Sequence, residues 1–222
     1  MNRFGSMRIK MRNLARSSSA PPLLLFLNEV LWHPSSAGAV FPSPRNLAKH
    51  MARMVPVKGT GLVVELGAGT GTVTQTLLDH GISADRLLII ERSAALATHL
   101  RSRFPRLRII QGDAGNLGDF LPADTPVDAV VSGVPLRSLP YAESHAIVEH
   151  WRAVLPVGTL IVQFTYALSG PLRHLTNGFI QLTSEIIWFN FLAARVVALE
   201  LSCATACTVG RHGRSKWSSS KK

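Results

Sequence analysis

Cysteine, acid and long apolar runs are all scarce in this chain, and each scarcity excludes something. The two cysteines, Cys203 and Cys207, stand four apart near the C-terminal end. Two thiols do not complete a zinc site unaided, no CxxC or HExxH occurs, and the eight histidines show no ligand spacing. No metal is expected. No stretch reaches the roughly 18 apolar residues that span a bilayer. The longest candidate, Ile186 to Leu199, contains Asn190 and Arg195. The segment "PPLLLFL" follows Arg3, Arg8, Lys10, Arg12 and Arg16, as a secretory signal would. Its apolar run is five residues long before Asn28 and Glu29 interrupt it. A signal core needs about 7–15. A protein of the cell interior that does not cross a membrane is expected.

Acids number 13 against 24 Lys and Arg, for a net charge of +11. Such an excess favours an anionic partner, and its placement says more. Residues 1–58 hold nine Lys/Arg and one acid, Glu29. Residues 59–209 hold ten Lys/Arg and twelve acids, so the middle is near neutral. Residues 210–222 hold five Lys/Arg and no acid. The basic surface sits in the two ends, as an attachment device on a catalytic core or as two solvated tails. With 222 residues, 46% of them hydrophobic, the chain suits one globular domain with extensions.

Four regions follow from the pattern. Residues 1–20 form a basic, Ser-rich arm expected to be disordered. Residues 21–58 carry amphipathic N-terminal helices, residues 59–202 the main domain, and residues 203–222 a basic tail. Leu23, Phe26, Leu27, Val30 and Leu31 follow helical spacing, with Trp32 beside them and His33-Pro34 as the stop. Ser43 caps a second helix that has Pro44 at its first position and Leu47, Met51 and Met54 as its apolar stripe. From residue 61 strands and helices alternate. Strands are expected at 62–66, 87–90, 107–110, 127–131 and 160–164, and helices at 72–80, 94–104 and 141–155. A last antiparallel pair is expected at 186–189 and 196–199. Repeated β-α units imply an α/β fold, a mostly parallel sheet with helices on both faces.

The first strand of this series runs into "VVELGAGTGTVT". Gly67-Ala68-Gly69-Thr70-Gly71-Thr72 departs from the dinucleotide fingerprint G-x-G-x-x-G, with Thr in place of the third glycine. An acid, Glu65, precedes the loop and would repel a pyrophosphate, but would attract a cationic ligand. Glu91 ends the second strand, 20 residues after Gly71, where a carboxylate accepts ribose hydroxyls. Asp113, in "QGDA", ends the third strand, within reach of an adenine amine. Three acids and a tight loop on successive strand ends describe a site for S-adenosylmethionine, a ligand with an ammonium, a sulfonium, a ribose and an adenine but no phosphate.

With those residues in view, the sequence resembles class I S-adenosylmethionine-dependent methyltransferases. More narrowly, it resembles the bacterial phosphatidylethanolamine N-methyltransferases, which are related to the rRNA adenine dimethylases. The resemblance runs from about Phe26 to Asn190. It rests on "GAVFPSPRNLAKHMA", "VVELGAGTG", "IIERS", "IIQGDA", "DAVVSGVPLRSLP", "VQFTY" and "IIWFN". It implies a Rossmann-like, seven-stranded fold. It also implies a cofactor site built from Phe41, Ser43, Glu65, Gly67, Ala68, Gly69, Thr70, Gly71, Glu91, Arg92, Asp113, Ala114 and Ser132. The implied reaction is stepwise methylation of the phosphatidylethanolamine head group toward phosphatidylcholine. The implied setting is a monomer held peripherally on the inner face of the cytoplasmic membrane, with its N-terminal helix on anionic lipid. Two departures stand out. Ser132-Gly133-Val134-Pro135-Leu136 lacks the Asn and the aromatic ring with which the rRNA dimethylases hold and stack a base, which argues against nucleic acid. Beyond Asn190 the chain no longer follows the family.

Methyl transfer from a sulfonium needs alignment and a free amine. Burial favours the uncharged amine, and a positioned acceptor removes its proton. Ser132 and the carbonyls of Gly133 and Val134 follow the fourth strand and are candidates to accept from the amine. Tyr166, after the fifth, is the candidate phenol. Gly133 equally fits a role in the turn alone, and Tyr166 one in the packing alone. Phe41, Tyr166 and Trp188 are candidate rings for cation–π contact with methylated amines. An rRNA or tRNA adenine N-methyltransferase is the alternative that the basic charge keeps open.

Overall fold

The computed structural model describes residues 44–166, 178–189 and 192–203. All fall within one compact unit, Val40–Lys222. The expected helix at 23–32, the basic arm and most of the basic tail lie outside the described residues.

Eleven main elements follow in order: helix α1 (Pro44–Met54), strand β1 (Leu62–Leu66), α2 (Thr72–His80), β2 (Leu87–Glu91), α3 (Ala94–Arg103), β3 (Arg108–Gln111), β4 (Val127–Ser132), α4 (Tyr141–Val154), β5 (Leu160–Thr165), β6 (Phe179–Phe189) and β7 (Leu192–Leu201). They build a seven-stranded sheet of order β3-β2-β1-β4-β5-β7-β6. Strands β1 to β5 are parallel and β7 is antiparallel to both β5 and β6. This is the Rossmann-like, seven-stranded arrangement that the resemblance implies. The strand order reverses between β1 and β4, the crevice where open α/β sheets bind their ligands.

Side chains alternate across the sheet and divide the core in two. On one face Val63, Ile89, Ala129, Val131, Val162 and Val196 pack under α1, α2 and α3 through Leu47, Met51, Leu77 and Leu100. On the other Val64, Leu66, Leu88, Ile90, Val130, Ile161 and Val197 pack under α4 through Ile147, Val148 and Trp151. The strands are apolar on both faces, as a covered parallel sheet requires. Trp151 is fully buried. Its indole N–H donates to the Ala114 carbonyl at 2.8 Å, tying α4 to the loop after β3.

Helix α2 begins and ends on glycines in the left-handed region, Gly71 (φ 83°) and Gly81 (φ 105°). At Gly71 the constraint is double. A Cβ there would stand 2.6 Å from Phe104 Cε2 and 2.8 Å from Leu100 Cδ2. Gly71→Ala should therefore lower stability by about 2–4 kcal/mol, combining left-handed strain with overpacking. Denaturant titration reads this, and an unchanged midpoint would mean that the loop relaxes freely.

The closing hairpin differs from the expected short pair at 186–189 and 196–199. Strand β6 runs from Phe179 and β7 from Leu192 to Leu201. β6 is an edge strand with a register shift between Gln181 and Thr183, and its polar Gln181, Thr183, Ser184 and Glu185 are all exposed. Those residues hide the apolar alternation by which a strand is read from sequence. In β7 the charged Arg195 and Glu200 interrupt a small and apolar run.

Candidate functional site

The chain leaves β1 through Glu65 and Leu66 and turns on Gly67 (φ 71°), Gly69 (φ 59°) and Gly71 into α2. Gly67 N–H donates to Ile90 O on β2 at 2.8 Å, and Gly71 N–H to Ala68 O at 2.9 Å. Ala68 is buried. The Thr70 carbonyl accepts from Arg103 at 2.6 Å. The loop is thus held on the strand ends from both sides, and no Lys or Arg lies within it.

The acids occupy distinct settings. Glu65 is 2% exposed, and its Oε2 accepts the Thr74 hydroxyl at 2.7 Å. Burial pushes its carboxyl up to about 7; the Thr74 bonds pull the other way, and the nearby Glu91 adds to the rise. Glu91, also 2% exposed, accepts Gly69 N–H on Oε2 at 3.0 Å and Ser93 N–H on Oε1 at 2.8 Å. Asp113 is half exposed and accepts Gly115 N–H at 2.8 Å. Arg92, mostly exposed, reaches to 3.7 Å from its Oδ2. Ala114 follows, with its carbonyl engaged by Trp151. The strand ends therefore bring Glu65, Glu91, Asp113, Arg92, Ala114 and residues 67–71 to one edge of the sheet. Phe41 and Ser43 lie outside the described residues.

Next to this loop, β4 ends in Ser132, fully buried, whose Oγ accepts Val134 N–H at 3.2 Å. Gly133 N–H donates to Leu66 O at 2.8 Å. A Cβ on Gly133 would stand 2.6 Å from Gly67 O, so only glycine lets the two loops touch. Leu136 is buried in the core beneath α4. Tyr166 is half-buried on the opposite face of the sheet from Ser132, packed among the α1-side residues and edge-on to Phe164 at 5.7 Å. Burial pushes its phenol up, so it stays protonated at neutral pH. The structure thus places Ser132 and Gly133 together but sends Tyr166 to the other side. Two residues escaped the sequence reading: Thr74, nine residues after Glu65, and Gln163, whose Nε2 donates to Val134 O and Phe164 O, both at 2.9 Å. A lone Gln inside "LIVQF" was the available signal for the second.

The donor set fits S-adenosylmethionine. Two buried acids flank a loop without basic side chains, which suits a ligand with an ammonium and a sulfonium and opposes a pyrophosphate. Glu91 keeps a second lone pair on each oxygen for ribose hydroxyls.

Residues 63–158 match the family model described as a methyltransferase domain. The chain is 33% identical over 121 residues to the ornithine lipid N-methyltransferase of Singulisphaera acidiphila, an alignment covering 52% of this chain and 63% of that protein. It is 28% identical over 137 residues to ribosomal RNA small subunit methyltransferase A of Chlorobium chlorochromatii, covering 59% and 48%. The chain thus spans under two thirds of the length of these relatives. Among solved structures, the N-methyltransferase NodS from Bradyrhizobium japonicum with S-adenosyl-L-homocysteine superposes with a TM-score of 0.56 at 16% identity, covering 71% of this chain and 86% of that one. Magnesium protoporphyrin IX methyltransferase from Synechocystis, with its methyl donor bound, gives 0.55 at 13% identity, covering 84% and 100%. At such identities the likeness is one of fold.

Proposed function

We propose that this chain, which carries a class I methyltransferase domain whose cofactor is S-adenosylmethionine, methylates the amine of a membrane-lipid head group. Phosphatidylethanolamine and its mono- and dimethyl derivatives are the acceptors. The observation that carries the reading is the turn after β4. Gly133 is pressed onto the Gly67 carbonyl, which sets the turn at 132–134 against the cofactor loop. The Gly133 carbonyl is the candidate acceptor of the amine N–H, because the Val134 carbonyl already takes Leu136 N–H at 2.8 Å and Gln163 Nε2 at 2.9 Å. Leu136, buried under α4, presents no ring on which a base would stack. The relative that acts on an ornithine lipid supports the lipid class, and the near-neutral middle of the chain disfavours a phosphate-tracking groove.

When bound, the cofactor supplies an electrophilic methyl group on a sulfonium. Glu91 and Asp113 hold its ribose and adenine, and Glu65 faces its ammonium through charge. The turn at 132–134 orients the acceptor amine and excludes water from it. Tyr166, a protonated phenol, serves as a ring or a donor and not as the base. The proposal seats a monomer peripherally on the inner face of the cytoplasmic membrane. Basic N-terminal residues and the exposed Arg45, Lys49 and Arg53 of α1 would meet anionic lipid there, each charge contributing about 1 kcal/mol.

Radiolabelled methyl groups from S-adenosylmethionine are expected to enter liposomes of phosphatidylethanolamine and phosphatidylglycerol. The protein should float with these vesicles, release as salt rises, and lose binding when residues 1–33 are removed. Transfer to rRNA or tRNA with none to lipid would replace this reading by the adenine methyltransferase alternative.

A further inference from the structure

Gln163 is 3% exposed, and its Oε1 is buried without a hydrogen-bond partner. The orientation of the amide is set by its surroundings. Two carbonyls, Val134 O and Phe164 O, each lie 2.9 Å from Nε2, so the nitrogen must face them and the oxygen must face away. A flipped amide would oppose oxygen to oxygen. An unsatisfied buried acceptor is costly and calls for an explanation in ligand, water or strain.

Its position supplies one. Gln163 pairs across the sheet with Ser132, the last residue of β4. Its side chain reaches the carbonyl of Val134, two residues beyond that strand end. The amide therefore lies at the same edge as the Gly133–Gly67 contact, where the acceptor amine must meet the methyl group. On the same face, Val197 pairs with Gln163 and Arg195 with Thr165. Arg195 is buried to 9% exposure. Burial of the amide beside the apolar Val197 disfavours a charged ammonium there and favours an amine bound in its neutral form.

We propose that Gln163 Oε1 is part of the acceptor site and takes an N–H of the substrate amine, while the Gly133 carbonyl, in the turn that the same side chain braces at Val134 O, takes another. This rests on the lipid-amine reading above. The geometry leaves the nitrogen lone pair free to form the new N–C bond. The C–S bond breaks and its electron pair returns to sulfur. The resulting ammonium keeps its proton in the site and loses it to bulk water after release. The neutral primary amine offers two N–H bonds, the monomethyl amine one and the dimethyl amine none. The contribution of Gln163 must fall in that order, and a quaternary product has no N–H to hold it.

The test uses the full chain and three sets of liposomes, with phosphatidylethanolamine, its monomethyl or its dimethyl derivative in phosphatidylglycerol. Gln163→Met keeps the side-chain length and removes both amide functions. Its kcat/KM is expected to fall about tenfold for the primary amine, about threefold for the monomethyl lipid and under about twofold for the dimethyl lipid. Affinity for S-adenosylmethionine, read by calorimetry, should stay within about twofold. An equal fall with all three lipids would overturn the assignment and leave Gln163 as a prop for the turn. So would a fall confined to cofactor affinity. If the Met variant does not fold, Gln163→Asn, which withdraws the amide by one methylene, decides by the same graded or even loss. Failure of the unaltered chain on all three lipids sinks the lipid-amine reading, and this assignment with it.

Discussion

A chain carrying Glu91→Ala should bind S-adenosylmethionine about 100-fold more weakly and unfold at lower denaturant. Two separate losses add. Each Glu91 oxygen uses one lone pair on backbone, Gly69 N–H at 3.0 Å and Ser93 N–H at 2.8 Å. The remaining lone pairs are the candidates to accept the ribose hydroxyls. Hydrogen bonds to a charged group contribute about 1.5–3 kcal/mol each, so losing two ribose bonds weakens binding by at least about two powers of ten. The Ala variant also strands two N–H donors in a site that is 2% exposed at Glu91, at about 1–3 kcal/mol apiece. Calorimetry and denaturant titration read the two effects independently. Glu91→Gln separates them further, because one oxygen survives. Unchanged affinity in the Ala variant, with lowered stability, would mean that Glu91 only braces the loop.

That the sequence exposed Glu91 but not Gln163 has a physical basis. The acid stands at the boundary of an apolar run and a turn, and such boundaries are printed in the chain itself. The same holds for α2, whose ends at Thr72 and His80 are marked by Gly71 and Gly81, both left-handed in the structure. It holds for the parallel strands, whose apolar runs are continuous because both faces are covered. Gln163 is different. Its partners are backbone carbonyls, one of them 29 residues earlier in the chain, and no side-chain pattern encodes a carbonyl. Thr74 is recognisable only once the glycine turn has folded it back onto Glu65. The separation of Ser132 from Tyr166 depends on the pairing of Ser132 with Gln163, and alternation within one strand does not give the register between two. The pair at 186–189 and 196–199 was legible, but the further length of β6 and β7 was hidden by exposed polar residues on an edge and by Arg195 in a buried row.

Affinity for S-adenosylmethionine should weaken by about tenfold for each pH unit below about 7, an effect that Glu65→Gln abolishes. Glu65 is the source. Its carboxyl is 2% exposed, and burial raises it from 4.5 to about 7 in the protein without ligand. A cationic ligand beside it favours the carboxylate and pulls that value back down. Below 7 binding must therefore expel a proton, and each unit of acidity opposes it by about 1.4 kcal/mol. Stability without ligand moves the opposite way. The folded value lies above the unfolded one, so the acid contributes stability that is complete below pH 4.5 and is lost as the pH rises through about 7. The contribution is about 3 kcal/mol, from a shift of roughly two and a half units. Comparison with Glu65→Gln isolates the share of this one carboxyl. That variant keeps an oxygen for the Thr74 hydroxyl, so the loop retains its brace. Isothermal titrations at pH 5, 6, 7 and 8 on both chains supply the measurement. If the unaltered chain binds equally well at pH 5 and pH 8, Glu65 does not meet the ligand's charge, and the ammonium lies elsewhere on the loop.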